Sequence, residues 1–172
     1  MHAAIITGVS RGLGEAIAAR LLAIQWTVVG VGRKSAARLG GERYRFVKAD
    51  LVDVDAIEGT LSGPLTEIAH ARPATIACVN NAAVVGPIGI GGRLPHEQIG
   101  ASFALNLAAP AVIANLFCRI FAAAGSDRRI VNISSGAAQT VLPGSAPYCA
   151  AKAGLEMLTR TLAAEQGPNG IR

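Results

Sequence analysis

The chain has 172 residues, 51% of them hydrophobic and only 4% aromatic, with a formal net charge of +5. This composition predicts one globular domain with a sizeable core. Few aromatic residues accompany the basic ones, which argues against nucleic-acid binding. The sequence offers neither a secretory signal nor a long apolar run for a membrane span. Cys78, Cys118 and Cys149 are widely spaced without a Cys-x-x-Cys motif, which favours reduced core thiols in a cytoplasmic protein over disulfides or a metal site.

Apolar strands alternate with amphipathic helices along the chain, without an internal repeat or a domain linker. The alternation predicts an α/β fold with a doubly wound parallel sheet, Rossmann-like, in a single domain spanning residues 1–172. Ligands of such a sheet bind at the carboxyl ends of the strands. The predicted strands are Ala3–Thr7, Thr27–Val31, Tyr44–Lys48, Thr75–Val79 and Ile130–Ile133, and the predicted helices are Gly14–Ile24, Val54–His70, His96–Phe121 and Tyr148–Glu165.

A glycine-rich turn joins the first strand to the first helix, with the spacing Gly-x-x-x-Gly-x-Gly. Such glycines form a tight turn in any protein, but backbone amides between a strand and a helix N-terminus also bind a pyrophosphate. The position of the turn favours phosphate binding. The predicted binding residues are Gly8, Ser10, Arg11, Gly12, Leu13 and Gly14.

The second strand ends in Gly32 and Arg33, where a site for NAD usually presents an acidic side chain to the ribose 2′-hydroxyl. Guanidinium groups of Arg33 and Arg11 match the oxygens of a 2′-phosphate, which predicts NADP(H) in preference to NAD(H). Two solvated surface arginines are the alternative. Six of the sixteen basic residues suggest a local region that faces an anion: Arg33, Lys34, Arg38, Arg43, Arg45 and Lys48.

Polar residues also follow the third and fourth strands and interrupt the long helix. Asp50 and Leu51 come after the third strand, where the aspartate would alternatively cap a helix. Asn80, Asn81 and Ala82 follow the fourth. Inside the long helix, Asn106 predicts a buried amide that needs hydrogen-bond partners, or else a kink before the next proline.

Three reactive side chains follow the fifth strand: Ser135, then Tyr148 thirteen residues on, and Lys152 four residues later. The spacing of four places Tyr148 and Lys152 on one face of a helix. A tyrosine in water loses its proton only near pH 10, and an adjacent ammonium favours the phenolate form that proton transfer requires. By themselves, a tyrosine and a lysine at this spacing would be ordinary surface residues.

Together and in this order, the motifs resemble those of the short-chain dehydrogenases/reductases over essentially the whole chain. The resemblance implies an NADPH-dependent carbonyl reductase in which Tyr148 donates the proton and Ser135 polarises the carbonyl. Lys152 would support Tyr148 and hold the nicotinamide ribose, and Asn106 would hold a relay water. Asp50-Leu51 resembles the adenine-contacting pair of the family, and Asn80-Asn81-Ala82 its cofactor loop, although Ala83 replaces the last glycine.

Segments around Ile133, Tyr148 and residues 157–166 resemble the benzil reductase branch of that family, which is related to sepiapterin reductases and reduces a vicinal diketone. This narrows the expected substrate to a small carbonyl or alcohol compound. Relatives associate through two helices, so a homo-dimer or homo-tetramer is expected through the outer faces of the long and last helices. The apolar residues that would allow this association are Leu116, Ile120, Leu155 and Leu162, for which a core-facing role is the default alternative.

The last residues, Gly170-Ile171-Arg172, stand where relatives begin a sixth strand, so we expect a chain truncated before the usual substrate-covering segment. The fifth strand would then be an open sheet edge. A nucleotide-binding fragment or regulatory protein without turnover is the alternative function. A sugar-nucleotide epimerase or dehydratase is disfavoured, because its Gly-x-x-Gly-x-x-Gly turn and larger C-terminal domain are not present in the sequence.

Overall fold

The structure, a computed structural model, describes residues 1–122 and 125–172 and contains a five-stranded parallel sheet. The strand order is β3-β2-β1-β4-β5: the chain adds β2 and β3 on one side of β1, and then adds β4 and β5 on the other side. This confirms the predicted doubly wound parallel sheet, and a ligand site is expected where the order reverses, between β1 and β4. The strands are β1 His2–Thr7, β2 Thr27–Gly32, β3 Tyr44–Lys48, β4 Thr75–Asn80 and β5 Asp127–Asn132, and the helices are α1 Gly12–Ala23, α2 Ala56–His70, α3 His96–Phe103, α4 Ala109–Ile120 and α5 Ala146–Gln166.

Both faces of the sheet are covered by helices, which explains why the three inner strands, β1, β2 and β4, are apolar and buried along most of their length. Alternate residues of β1 serve the two sides. Ala3 and Ile5 pack with residues of α2 and α4, whereas Ala4 and Ile6 pack with residues of α1. The sheet is therefore the centre of two apolar layers, and its carboxyl edge is left for the loops.

The long helix predicted over His96–Phe121 is present as a helical stretch, His96–Ile120, that is not α-helical throughout. A π-helical turn, Ala104–Ala108, separates α3 from α4 and contains Asn106, which is fully buried. A π-turn inserts one extra residue into the helix, so it redirects a side chain without breaking the rod. Pro110, which lacks an N–H, lies in the first turn of α4 and is tolerated there.

The expectation of an unpaired edge at β5 is only partly correct. The N–H of Ile130 donates to Arg172 O, and the N–H of Arg172 donates to Arg128 O, so the last residues pair in parallel with β5. Further along the strand, Val131 remains 44% exposed.

The Arg128 guanidinium is buried and donates to the carbonyls of Phe121, Ala122 and Asn169.

The helical stretch His96–Ile120 is long and apolar enough to cross a membrane by length and composition alone, so it is an exception to the expected absence of such a segment. Its apolar residues Ile113, Leu116 and Phe117 are buried against the sheet, as in a core helix. Leu116 and Leu155 are each 1% exposed, so both take the core-facing role that the sequence left as the default and not a place on an outer association face.

Candidate active site

A cleft of about 910 Å³ opens at the carboxyl edge of the sheet, where the strand order reverses. It gathers loops that follow four different elements. The loops after β1, β2, β3 and β4 and the end of α3 contribute to its walls. Of the predicted binding residues, the cleft brings together Gly8, Ser10, Arg11, Leu13, Arg33, Asp50, Leu51, Asn81 and Ala82.

The glycine turn has the shape that phosphate binding requires. Gly8 and Gly12 adopt φ values of +75° and +63°, which favour glycine. A side chain at Gly14 would begin 2.4 Å from the carbonyl oxygen of Gly8, so the turn closes only without one. Arg11 precedes α1 without capping it through its side chain, which leaves first-turn amides for an anion. The turn therefore fits a pyrophosphate.

We expect Gly14→Ala to destabilise the fold by about 2–4 kcal/mol, because the new methyl group collides with backbone. Thermal unfolding measures this cost. Gly63→Ala is the matched control, since Gly63 lies in α2 with no atom within 4 Å of an added methyl group. That change should be neutral or stabilise the protein by up to about 1 kcal/mol. Equal melting temperatures for the two variants would contradict the close approach.

Asn81 and Thr7 fasten the glycine turn to the loop after β4. The Asn81 side-chain amide donates to the carbonyls of Thr7 (2.9 Å) and Gly8 (3.2 Å). In return, the Thr7 hydroxyl accepts from the N–H groups of Asn81 (2.9 Å) and Ala82 (3.0 Å). The two walls of the cleft are thus fixed relative to each other. The role of Thr7 was not predicted from the sequence, although its position directly before Gly8 could have indicated a residue that supports the glycine turn.

Asn80 lies outside the cleft lining. Its side-chain N–H donates to Asn132 Oδ1 on β5 at 2.8 Å, and Asn132 donates to the Thr159 hydroxyl on α5 at 2.8 Å. Among the described residues, Asn80 Oδ1 has no hydrogen-bond partner. The structure therefore places Asn80 in a polar chain that joins β4, β5 and α5.

The predicted basic region divides into two parts. Arg33 and Lys34 are exposed in the cleft wall. Arg38 and Arg45 instead form ion pairs with Glu15 on α1 and Glu67 on α2. Only the first pair of cations is thus placed to meet an anion in the cleft.

Asp50 and Leu51 line the cleft beyond β3. The exposed Asp50 carboxylate accepts from the N–H of Val52 at 3.2 Å, and it does not cap α2. The N–H of Ala56 at the start of α2 instead donates to Asp53. Leu51 is buried in the core, so its side chain supports the wall.

Tyr148 and Lys152 lie on one face of the first turns of α5, as their spacing predicts. The Lys152 ammonium is 5.8 Å from the centre of the Tyr148 ring and donates to the Ile133 carbonyl at 2.7 Å. Lys152 is buried, and its desolvation lowers the pKa of the ammonium. Two residues beyond Ile133, the half-buried Ser135 caps a single 3₁₀ turn by accepting from the N–H of Ala137. These three residues lie outside the cleft lining.

A stripe of α5 side chains holds the segment that carries Ser135. Glu156, one turn after Lys152, accepts from the Ser134 hydroxyl (2.8 Å) and from the Gln139 side chain (3.3 Å). These hydrogen bonds, Ser134 first, hold the pKa of Glu156 below its ordinary value. Lys152 donates a hydrogen bond to the Ile133 carbonyl, and the Thr159 hydroxyl accepts one from Asn132. Helix α5 is thus hydrogen-bonded to consecutive residues at the end of β5 and in the loop after it. The role of Glu156 was not predicted from the sequence.

We expect Glu156→Gln to lower kcat about tenfold with little change in cofactor affinity. The new amide NH₂ group would face the Ser134 hydroxyl or the Gln139 amide, which donate to the carboxylate in the wild type, so one of these hydrogen bonds would be lost. Steady-state kinetics measure this split between kcat and Kd. Glu165→Gln, an exposed position on the same helix, is the control and should behave as wild type. A tenfold loss in both variants would show that the effect is not specific to the Ser135 segment.

Asn106 faces the loop after β4 from the π-turn. Its amide N–H groups donate to Val84 O (2.8 Å) and to the Ser102 hydroxyl (3.2 Å), and its oxygen accepts from the N–H of Val84 (3.1 Å). The two hydrogen bonds to Val84 position the backbone of the cleft wall, and the third joins Asn106 to the preceding helical turn. The buried amide that the sequence predicts is therefore present with its hydrogen-bond partners, and it lies in the π-turn directly before α4.

The cysteines are free thiols, and only Cys78 is fully buried; burial raises its pKa to about 12. Cys118 and Cys149 are half-buried, so they are less enclosed than predicted. In the described part of the chain, no group of three or more His, Cys, Asp or Glu side chains is arranged to hold a metal ion.

Comparisons with known proteins agree with this geometry. The family model for short chain dehydrogenase matches residues 2–172. The benzil reductase ((S)-benzoin forming) of Bacillus subtilis (strain 168) is 35% identical over 166 residues, 96% of this chain and 68% of the relative. The L-xylulose reductase of Mesocricetus auratus is 34% identical over 177 residues, 98% of this chain and 67% of the relative.

Solved structures are also similar. A short-chain dehydrogenase/reductase from Burkholderia vietnamiensis has a TM-score of 0.91 and 33% identity, covering 99% of this chain and 80% of its own. A metagenomic short-chain oxidoreductase in complex with NADP has a TM-score of 0.86 and 32% identity, covering 99% and 78%. The chain therefore belongs to the short-chain dehydrogenase/reductase family of oxidoreductases, which act on CH–OH and C=O groups.

Proposed function

We propose that the protein is an NADPH-dependent carbonyl reductase that acts on a ketone or vicinal diketone. The observation that carries this proposal is the pairing of Tyr148 with the buried Lys152 ammonium, 5.8 Å from the ring centre, next to the Ser135 segment. The cleft supports it from the cofactor side, since the side-chain-free Gly14 and the uncapped first turn of α1 fit a pyrophosphate.

In this proposal a bound nicotinamide supplies the hydride, as is general for this class of cofactor. Tyr148 donates its phenolic proton to the carbonyl oxygen as charge develops there. Ser135 donates a hydrogen bond to the same oxygen. The Lys152 ammonium stabilises the resulting phenolate, and its remaining N–H groups are free to hold the nicotinamide ribose.

Asn106 serves this proton path indirectly. Its side chain is already hydrogen-bonded to the backbone N–H and C=O groups of Val84. A relay water next to Lys152 would therefore be held by the main chain of the π-turn, where a widened turn leaves a carbonyl without its usual i+4 partner. Asn106 thus acts as a positioning residue.

NADP(H) is proposed over NAD(H) because Arg33, Lys34 and Arg11 line the same cleft. The ion pairs that the structure describes in this region are formed by Arg38 and Arg45 and not by these three residues. A 2′-phosphate would bring two negative charges to the cleft, where guanidinium groups bind phosphate in a bidentate manner. The related structure in complex with NADP is consistent with this preference.

The remaining features of the proposal follow from similarity and composition. The relative named benzil reductase supports a diketone substrate. A homo-dimer or homo-tetramer would use the exposed parts of α3 and α5, where Phe103 and Met157 are exposed. Three free thiols agree with a reducing cytoplasm.

The second candidate is a nucleotide-binding protein without turnover. It is favoured by one observation, namely that the cleft lining contains most of the residues predicted for the nucleotide but not Ser135, Tyr148 or Lys152. Incubation with a diketone and NADPH deuterated at both C4 positions distinguishes the two. The reductase transfers one deuterium to the carbinol carbon of the product, whereas a binding protein yields no labelled alcohol.

A further inference from the structure

Two loops at the carboxyl edge of the sheet expose apolar side chains next to the proposed reaction centre. One follows β4 (residues 84–90, Val-Val-Gly-Pro-Ile-Gly-Ile) and the other precedes α5 (residues 141–147, Val-Leu-Pro-Gly-Ser-Ala-Pro). We define the apolar rim as Val85, Ile88, Val141 and Leu142, which are 52%, 73%, 86% and 44% exposed. Large exposed apolar side chains on two loops that are hydrogen-bonded to each other favour a surface that binds an apolar group.

Backbone hydrogen bonds hold both loops in place and join them to the site. The N–H of Gly89 donates to Gly144 O at 2.9 Å, four residues before Tyr148. Ile88 Cγ2 lies 3.8 Å from the point where a side chain on Gly144 would begin. At the start of the loop after β4, the backbone N–H and C=O groups of Val84 are both hydrogen-bonded to the Asn106 side chain. The rim loops are therefore linked by hydrogen bonds to the segments that carry Tyr148 and Asn106.

The rim offers a substrate little hydrogen bonding. Within residues 84–90 and 141–147, Ser145 is the only side chain with a hydrogen-bonding group, and it is 9% exposed. Hydroxyl groups desolvated against such a surface lose their water partners without replacement. Apolar substituents instead gain free energy when they cover it. Relatives named for benzil and for L-xylulose show that family membership alone does not decide between these two kinds of ketone.

We propose that the apolar rim selects ketones with apolar or aryl substituents over polyhydroxylated ketones, with Ile88 and Val141 as specificity-determining residues. The proposal rests on the proposed function, since it concerns the same site. The substituent of the carbonyl that does not react would cover the rim while the carbonyl oxygen meets Tyr148 and Ser135.

Isothermal titration of the chain saturated with NADP⁺ measures binding without turnover. The two probes are 1-phenyl-1,2-propanedione, an aryl diketone, and L-xylulose, a polyhydroxylated ketone. We expect the diketone to bind at least about tenfold more tightly than the pentose. Ile88→Ser and Val141→Ser should each weaken diketone binding about three- to tenfold and leave the affinities for L-xylulose and NADP⁺ unchanged. Ile24→Ser, the same change at an exposed residue after α1, is the control and should change none of them.

Three results would overturn this proposal while the reductase function stands. These are tighter binding of L-xylulose, an equal loss for both probes in the rim variants, or dissociation of a dimer in those variants with unchanged diketone affinity. The last result would assign the rim to a contact between chains. Failure of NADP⁺ itself to bind would instead overturn the proposed function, so the two failures are distinguishable.

Discussion

Tyr148→Phe should lower kcat for ketone reduction by about 10²- to 10⁴-fold, the contribution typical of a general acid. The phenyl ring keeps its place in the first turn of α5 and its position over the Lys152 ammonium, 5.8 Å from the ring centre. Only the proton donor is lost. NADPH affinity should therefore remain within about twofold of wild type, and the melting temperature should be nearly unchanged. Steady-state kinetics and a cofactor titration on the same preparation measure both effects.

Tyr44→Phe is the matched control for this experiment, because Tyr44 is the only other tyrosine of the chain. Its hydroxyl lies 2.7 Å from the Ser35 hydroxyl, at the opposite side of β2 from β1. The variant should keep full activity and lose about 1 kcal/mol of stability at most. A Tyr148→Phe protein that retained most of its rate would show that another group donates the proton.

Arg33→Ala should weaken NADPH binding about ten- to a hundredfold and leave NADH binding unchanged. Arg33 is exposed in the cleft wall after β2, where only a 2′-phosphate would require a guanidinium. A charge-assisted hydrogen bond to phosphate contributes about 1.5–3 kcal/mol, which gives the expected range. Parallel titrations with the two nucleotides measure the change in preference.

The control for Arg33→Ala is Arg20→Ala, which removes the same charge from the exposed last turn of α1. This variant should bind both nucleotides as wild type does, apart from a small general effect of net charge that added salt removes. Equal losses for NADPH and NADH in Arg33→Ala would assign Arg33 to the diphosphate or to the wall itself, and the cofactor preference would need another basis.

Local sequence patterns were sufficient to predict the fold and the positions of Tyr148 and Lys152. The strands could be recognised because a parallel sheet buries both faces, and the spacing of four fixes a shared helix face wherever α5 begins. By contrast, β5 begins at Asp127 rather than at the predicted Ile130. The charged start of the strand is accommodated because the buried Arg128 guanidinium donates to three backbone carbonyls, a non-local arrangement that no local pattern contains.

The roles of Glu156 and Asn106 could not be predicted for similar reasons. Glu156 meets Ser134 across 22 residues, and this contact exists only in one register of α5 against β5. The π-turn at Asn106 adds a single residue to a helix, which hydrophobic periodicity over so few turns does not resolve. The sequence therefore predicted a buried polar group at Asn106 but no role for Glu156, and the structure identifies the partners of both residues.

The most direct test of the central claim is a fluorescence titration of NADPH and NADH with the 172-residue chain. If the cleft between β1 and β4 is a dinucleotide site with Arg33 in its wall, both nucleotides bind saturably, and NADPH binds at least about tenfold more tightly. If neither nucleotide binds, the glycine turn and Arg33 have been misinterpreted, and the proposed hydride transfer is wrong with them.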